Sequence, residues 1–242
     1  MQLKYFTSIP STQLQLLDDI KASLITKSAF YLSFNQTSGI GSRGNSWQNV
    51  ESGIYLSFCV EIKNLDPAIP PASFSIYMGR LLLEAVLRFN KDVWLKWPND
   101  FYLEDKKVGG LISQKTSKFL VVGLGLNIKD TSFGGLGLPR QDSINLIVEI
   151  LKEIGLKDTS LVKSLLSKDS PSSFDIKSLS DERVFLTEKN SWKDIFSKYR
   201  LEFSRNRAFS THSKNGVISL KDSVLLDDGS IQIGQDFYYS MR

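Results

Sequence analysis

The chain has 242 residues, 41% of them hydrophobic and 23% charged, with a formal net charge of +4. This is the composition of an ordinary globular protein, long enough to bury a sizeable core without covalent staples in one large domain, with or without a small companion. One cysteine, Cys59, excludes an internal disulfide, and its apolar neighbours Leu56, Phe58 and Val60 mark it as a core residue rather than a catalytic thiol. The N-terminus lacks a long apolar leader and no segment reaches membrane-spanning length, so a cytoplasmic protein with no membrane partner is expected. The mildly basic charge suits an anionic substrate or acidic partner no better than it suits plain solubility.

Ser11 and Thr12 stand before Leu14, Leu17, Ile20 and Leu24, an apolar series near helical period, so one of the two hydroxyls should cap a helix. Residues 29–36 and 54–62 read as strands from their β-branched and aromatic content, with a polar, glycine-punctuated loop between them. A strongly apolar helix is expected over 74–89. Strands follow at 93–97, on both sides of Glu104-Asp105-Lys106, and at 119–128. A glycine-rich turn at 134–137 leads to amphipathic helices near 144–154 and 191–204. The serine-rich stretch 164–180 reads as a solvated loop or linker. From about Phe209 onward, short strands are broken by Asn215-Gly216 and Asp228-Gly229, both hairpin-type dipeptides. The sum is a mixed α/β domain with a small β appendix.

Several segments carry possible chemistry. In Lys96-Trp97-Pro98-Asn99-Asp100 a strand runs into a proline and then into two polar side chains. Downstream comes Lys107-Val108-Gly109-Gly110. Alternation of period two puts Lys107 and Gly109 on one face, where a missing side chain leaves room for a ligand. Lys107 can there offset charge on a carboxylate or phosphate, whereas Lys106 reads as a surface lysine. The loop from Gly39 to Trp47 exposes backbone N–H groups, yet matches neither a Walker A loop nor the dinucleotide fingerprint. Glycines in Gly123-Leu124-Gly125-Leu126-Asn127 mark close backbone approach to a ligand or a neighbouring strand. The single histidine, His212, reads as a surface residue.

Each segment alone is an ordinary turn, loop or strand. In this order they resemble the biotin protein ligase family, from about Pro10 to the C-terminus. The resemblance rests on Ser11-Thr12-Gln13 at the helix start, the loop Gln36-Thr37-Ser38-Gly39-Ile40-Gly41-Ser42-Arg43-Gly44-Asn45-Ser46-Trp47, the strand Ile54-Tyr55-Leu56-Ser57, and above all Lys96 to Asp100 followed by Lys107 to Gly110. Gly123 to Asn127 closes the set; between roughly 130 and 190 no motif matches.

The resemblance implies an α/β (α+β) fold: a class II synthetase-like catalytic domain on a mixed sheet over 1–207, and a small SH3-like β domain over 208–242. It implies a ligase that uses ATP and Mg²⁺ to activate biotin as biotinyl-5′-AMP. The biotinyl group then passes to a lysine of a biotin carboxyl carrier protein, an acetyl-CoA carboxylase subunit. A lipoate or octanoate ligase of the same fold is the alternative. By the same resemblance Lys107 is the catalytic cation between the biotin carboxylate and the phosphate. Ser11, Thr12, Gln13, Gln36, Gly39, Ile40, Gly41 and Ser42 belong to the biotin side. Arg43, Trp47, Asn99, Asp100 and Asn127 belong to the nucleotide side, with Asp100 the one metal candidate. The catalytic motif begins almost at the first residue, so the monofunctional type is expected, without specific DNA binding; a homodimer is left open.

This sequence departs from the family pattern at Gln13, where asparagine is usual, and at Ile40, Ser42 and Asn45, which replace three loop arginines. In the family those arginines help fold the loop over the adenylate, so a less firmly closed loop is expected here. Incubation with ATP, biotin and a bystander protein should therefore label scattered lysines, and Ile40→Arg or Ser42→Arg should reduce that labelling. A clean bystander, read by mass, contradicts the expectation.

Overall fold

The computed structural model describes residues 1–42, 45–47, 52–129, 134–156, 158–168, 172–176, 190–213 and 216–239. In chain order, β1 (Gln2–Phe6) leads through α1 (Thr12–Lys21) to β2 (Ala29–Ser33). A small hairpin, β3 (Gly39–Ile40) and β4 (Ser46–Trp47), precedes β5 (Gly53–Glu61) and α2 (Phe74–Leu87). Then come β6 (Val93–Lys96), β7 (Asp100–Leu103), β8 (Lys106–Lys115) and β9 (Phe119–Asn127), followed by α3 (Arg140–Glu153), α4 (Ser160–Leu166), β10 (Phe174–Ile176) and α5 (Trp192–Glu202). The C-terminal part holds β11 (Ser210–Ser213), β12 (Gly216–Ser219), β13 (Val224–Leu225), β14 (Ile231–Ile233) and β15 (Asp236–Tyr238).

One mixed sheet dominates, in the order β10-β1-β2-β5-β9-β8-β7-β6. Only the β1–β2 pair is parallel, and α1 makes the crossover that a parallel pair requires. The expected strands and helices are present, with ends moved by a few residues. Two strands of the main sheet, besides the short β3–β4 hairpin within the expected loop, had no counterpart in the sequence reading. Gln2–Phe6 alternates half-buried and buried positions, and Phe174–Ile176 pairs antiparallel with it. The second corrects the expectation of a solvated linker over 164–180. Three residues with one aromatic are too short to show a period, and pairing with β1 decides their conformation. The C-terminal strands form separate small sheets, β11-β12 and β13-β14-β15. Gly229 turns with a φ of +80° between β13 and β14, as the Asp228-Gly229 dipeptide suggested; Asn215 lies outside the described residues.

The two faces of the sheet are covered unequally. One face carries the main core, where α2 packs against the sheet, α3 and α5. Being enclosed on several sides, α2 is apolar around most of its circumference. The other face is covered only in part, by α1. Ser11 caps that helix, its Oγ accepting from the Leu14 N–H at 3.3 Å. Leu16 and Leu17 bury against Tyr31, Cys59 and Val121. Cys59 is fully buried, and burial pushes its thiol up to about 12, so it stays protonated near neutrality. A 10-residue helix is about 15 Å long and cannot cover the whole face. The strip of β5, β9, β8 and β7 beyond its N-terminus stays open. Among the described residues, no helix is long and apolar enough to cross a membrane.

The turn between β6 and β7 is tied to the C-terminal part. Asn206, fully buried, accepts from the Trp97 N–H at 2.7 Å and donates to the Phe203 carbonyl at 3.0 Å. The Trp97 indole donates to the Gly229 carbonyl at 3.0 Å. Asn206→Ala should lower the urea midpoint by about 1–3 kcal/mol of stability, the usual range for orphaning a buried donor. Equilibrium unfolding measures it, and an unchanged midpoint contradicts the role given to Asn206.

Candidate functional site

The open strip forms the floor of a cavity of about 100 Å³ beside the N-terminus of α1. Its closed end is polar. Gln36 Oε1 accepts from the Thr12 N–H at 2.9 Å and from Thr12 Oγ1 at 3.2 Å, and Thr12 Oγ1 lies 2.8 Å from Ser57 Oγ. Ser11, Thr12, Gln13 and Gln36 are all buried. Gln13 Oε1 is buried without a hydrogen-bond partner, a costly state unless a ligand donor completes it.

The floor lacks side chains where the ligand space is narrowest. A Cβ on Gly123 would lie 2.8 Å from Gln13 Oε1, and one on Gly125 would lie 2.8 Å from the Trp47 indole. Trp47, from the β3–β4 hairpin, rests on this floor with its indole N–H buried and without a partner among the described residues. Ile40, Gly41 and Ser42 line the cavity from the same hairpin. Gly39 stands behind it: a Cβ there would meet Gln36 Nε2 at 2.6 Å. Arg43 lies outside the described residues.

At the other end, Lys107 Nζ holds Asp100 Oδ1 at 2.7 Å and sits 5.4 Å from the Trp47 ring centre. The expected pairing of Lys107 with Gly109 is corrected. Gly109 stands opposite Phe101 and Lys107 opposite Tyr102, so Val108 is an extra, unopposed residue. This bulge flips the alternation. A Cβ on Gly110 would lie 3.3 Å from both Lys107 Cε and Asp100 Oδ1, whereas one on Gly109 would meet Leu126 and Phe101 on the core side. The side-chain-free neighbour of Lys107 is therefore Gly110.

Two residues assigned to the nucleotide side have structural commitments. Asn99 lines the cavity, but its Nδ2 donates to the Leu111 carbonyl while Leu111 N–H donates to the Asn99 carbonyl at 2.9 Å. This clamp holds the turn after Pro98 against the middle of β8. Asn127 sits opposite Gly53, beyond the cavity lining, and donates to the Gly134 carbonyl at 3.1 Å. Its Oδ1 is buried without a partner among the described residues.

Ser57 and Gly110 line the cavity and were missed as site residues, and Lys96 lies just outside the lining, across from Asp100. Ser57 follows Leu56 in an unbroken apolar run, and only its pairing with Gly123 puts it in the cavity. Lys96 was quoted within a motif but given no role. It is 6% exposed and stands opposite Asp100 on the site face. Burial pulls its ammonium below the ordinary lysine range, Asp100 opposes that pull and Lys107 reinforces it. Burial, then Asp100, pushes the neighbouring Tyr102 phenol up to about 12.

The cavity thus has buried polar groups at one end and a cation–carboxylate pair at the other. The model of the biotin/lipoate A/B protein ligase family matches residues 5–127, half of the chain. The chain belongs to this family. The matched region of this ligase-family chain contains every cavity residue named above.

Among relatives, the bifunctional ligase/repressor BirA of Escherichia coli is 32% identical over 127 residues, covering 50% of this chain and 38% of that protein. The biotin–[acetyl-CoA-carboxylase] ligase of Mycobacterium tuberculosis is 25% identical over 167 residues, 63% of this chain and 62% of its own. These matches thus span less than two thirds of either relative. The solved biotin acetyl coenzyme A carboxylase synthetase of Helicobacter pylori, with bound biotinylated ATP, is 31% identical with a TM-score of 0.80, covering 98% of both chains.

The chain has four tryptophans; Trp94, Trp97 and Trp192 are buried, whereas Trp47 is half-buried and rests on the glycine floor beside Lys107. Gly125→Ala should push the indole off that floor and raise the fraction of tryptophan fluorescence that acrylamide quenches. Unchanged quenching would mean that the floor does not hold Trp47.

Proposed function

We propose that the protein is a biotin protein ligase, which condenses biotin with ATP to biotinyl-5′-AMP and passes the biotinyl group to a carrier lysine. The observation that carries this reading is the single groove joining the Thr12–Gln36–Ser57 cluster to Lys107 across a side-chain-free floor. A fused-ring urea needs both donors and acceptors, and the closed end offers both, with Gln13 Oε1 open for an N–H. A lipoyl or octanoyl group has no such N–H and would leave that acceptor buried and unpaired.

In the first step a biotin carboxylate oxygen attacks the α-phosphorus, the bond to the bridging oxygen breaks, and pyrophosphate leaves. Lys107 lies where the two negative partners meet and offsets their repulsion. To do so it must exchange Asp100 for the substrates. In the second step the carrier ε-amine attacks the acyl carbon, AMP leaves, and a proton is released from nitrogen. No protein nucleophile is needed. The cavity of about 100 Å³ is small beside the roughly 300–1,000 Å³ usual for small-molecule sites, so Trp47 and its hairpin must move aside to admit both substrates.

Mg²⁺ accompanies nucleotide triphosphates and offsets charge on their phosphates. Among the described residues no cluster of three or more His, Cys, Asp or Glu can hold a metal, and Asp100 is the one carboxylate lining the cavity. That donor set would fit an ion held mainly by the phosphates, with Asp100 the residue that would ligate it. The carrier we infer is the biotin carboxyl carrier of acetyl-CoA carboxylase, a reading supported by the name of the Mycobacterium relative.

Incubation with ATP, Mg²⁺, biotin and a carrier domain should add one biotinyl group to one lysine, read by mass; a lipoyl or octanoyl adduct instead defeats the reading. Lys107→Ala should slow adenylate formation by about 10²–10³, the usual loss for one preorganised charge contact, without unfolding, because its side chain is 40% exposed. Lys106→Ala should leave the rate unchanged, and the reverse result would reassign the catalytic lysine.

A further inference from the structure

The groove is arranged strand by strand. Its polar end lies over β5 and β9, at Ser57 and Gly123. Lys107 and Gly110 belong to β8, Asp100 opens β7, and Lys96 closes β6, the edge strand of the sheet. Lys96 and Asp100 are cross-strand partners, so both project from the site face.

Lys96 differs from Lys107 in how its charge is met. Lys107 is ion-paired with Asp100. Lys96 is 6% exposed, with Nζ 5.1 Å from the centre of the Tyr102 ring, and makes no hydrogen bond or ion pair among the described residues. Asp100 can neutralise one of the two ammonium groups, leaving a net positive charge under the open end of the groove. A mostly buried lysine that shares its one nearby carboxylate, Asp100, with a second lysine is costly to keep charged. Such a group beside a cleft is a candidate for completion by an anionic ligand.

The reaction supplies the direction. Phosphoryl and adenylyl transfers run in line, with the attacking and leaving oxygens on opposite sides of phosphorus. The acid approaches from the polar end over β5 and β9, and the α-phosphate meets Lys107 over β8. The leaving group must then depart away from β9, across β7 toward β6. Strands lie about 4.8 Å apart, so β8 and β6 are separated by roughly 10 Å of backbone, a span that two lysine side chains and a polyphosphate can bridge.

Resting on the ligase reading, we propose that Lys96 is the contact for the departing pyrophosphate. The bond between the α-phosphorus and the bridging oxygen breaks, that oxygen keeps the electron pair, and the charge developing on it and its phosphates meets the Lys96 ammonium. Lys107 serves the α-phosphate and the acid, and Asp100 stands between the two cations. Because β6 is the sheet edge, pyrophosphate leaves on the side away from the retained biotinyl-5′-AMP.

Lys96→Met keeps the apolar stem and removes the charge. Its melting temperature should be unchanged or raised, since an unpaired buried charge is lost. Titration with sodium pyrophosphate should show affinity weaker by roughly tenfold or more, the loss of one charge-assisted contact. The KM for ATP should rise and adenylate formation slow. Transfer from preformed biotinyl-5′-AMP to the carrier should keep its rate, because pyrophosphate takes no part in it. Lys96→Arg should recover part of the pyrophosphate affinity. Unchanged pyrophosphate affinity in Lys96→Met, or an equal loss in both half-reactions, overturns the proposal. A wild-type protein that makes no biotinyl-5′-AMP defeats the ligase reading instead, and the pyrophosphate titration of the two proteins still decides the role of Lys96.

Discussion

One unopposed residue, Val108, sets the electrostatics of the groove. Without it, β8 would pair with β7 in simple alternation and Lys107 would share the core-facing side with Gly109. With it, Lys107 turns onto the open face and meets Asp100 at 2.7 Å, while Val108 itself is buried in the core. A one-residue shift in a strand exchanges its two faces, so the bulge converts what would be a buried, unpaired lysine into a half-exposed cation at a ligand cavity. Gly109 and Gly110 make the change tolerable. A Cβ at Gly109 would collide with Leu126 and the Gly125 carbonyl, and one at Gly110 would crowd Trp47.

The rest of the site follows from incomplete coverage of one sheet face. Helix α1 buries Leu16 and Leu17 against Cys59 and Val121, then stops where Ser57 and Gly123 begin the open strip. Its first turn therefore delivers Thr12 and Gln13 to the cavity instead of to solvent. Several polar atoms here are buried without partners among the described residues: Gln13 Oε1, the Trp47 indole N–H and, at the margin, Asn127 Oδ1. Each costs stability in the free protein. Arg80 and Tyr199, in the core on the other face, also hold buried atoms without partners among the described residues, so it is the position of Gln13 and Trp47 on the cavity that fits completion by a ligand.

The C-terminal part bears on the site indirectly. Asn206 and the Gly229 carbonyl hold Trp97, and the next residues are the turn that Asn99 clamps to Leu111. Asp100 follows at the start of β7. Hydrogen bonds at Trp97 and at Asn99 thus brace both sides of the turn that leads into the carboxylate holding Lys107. Displacing that turn would move Asp100 and Lys96 together, since they are cross-strand partners.

Much of this was legible in the residues. Local signals gave a helix capped by Ser11 or Thr12, strands near 29–36 and 54–62, the buried Cys59 and the Asp228-Gly229 turn, because capping, side-chain period and turn conformation depend on neighbours in the chain; the role of Lys107 came from the motif resemblance. The motif resemblance added the groove residues around Thr12, Gln36 and Trp47. Tertiary structure alone decided which face Lys107 occupies, that Ser57 reaches the cavity, that the Asn99 side chain braces β8, and that Phe174–Ile176 joins the sheet edge. Lys96 belongs with these: nothing in its neighbours predicts a buried cation opposite Asp100. Strand register and burial are set by partners distant in the chain, and a single bulge reverses a face without changing the composition around it.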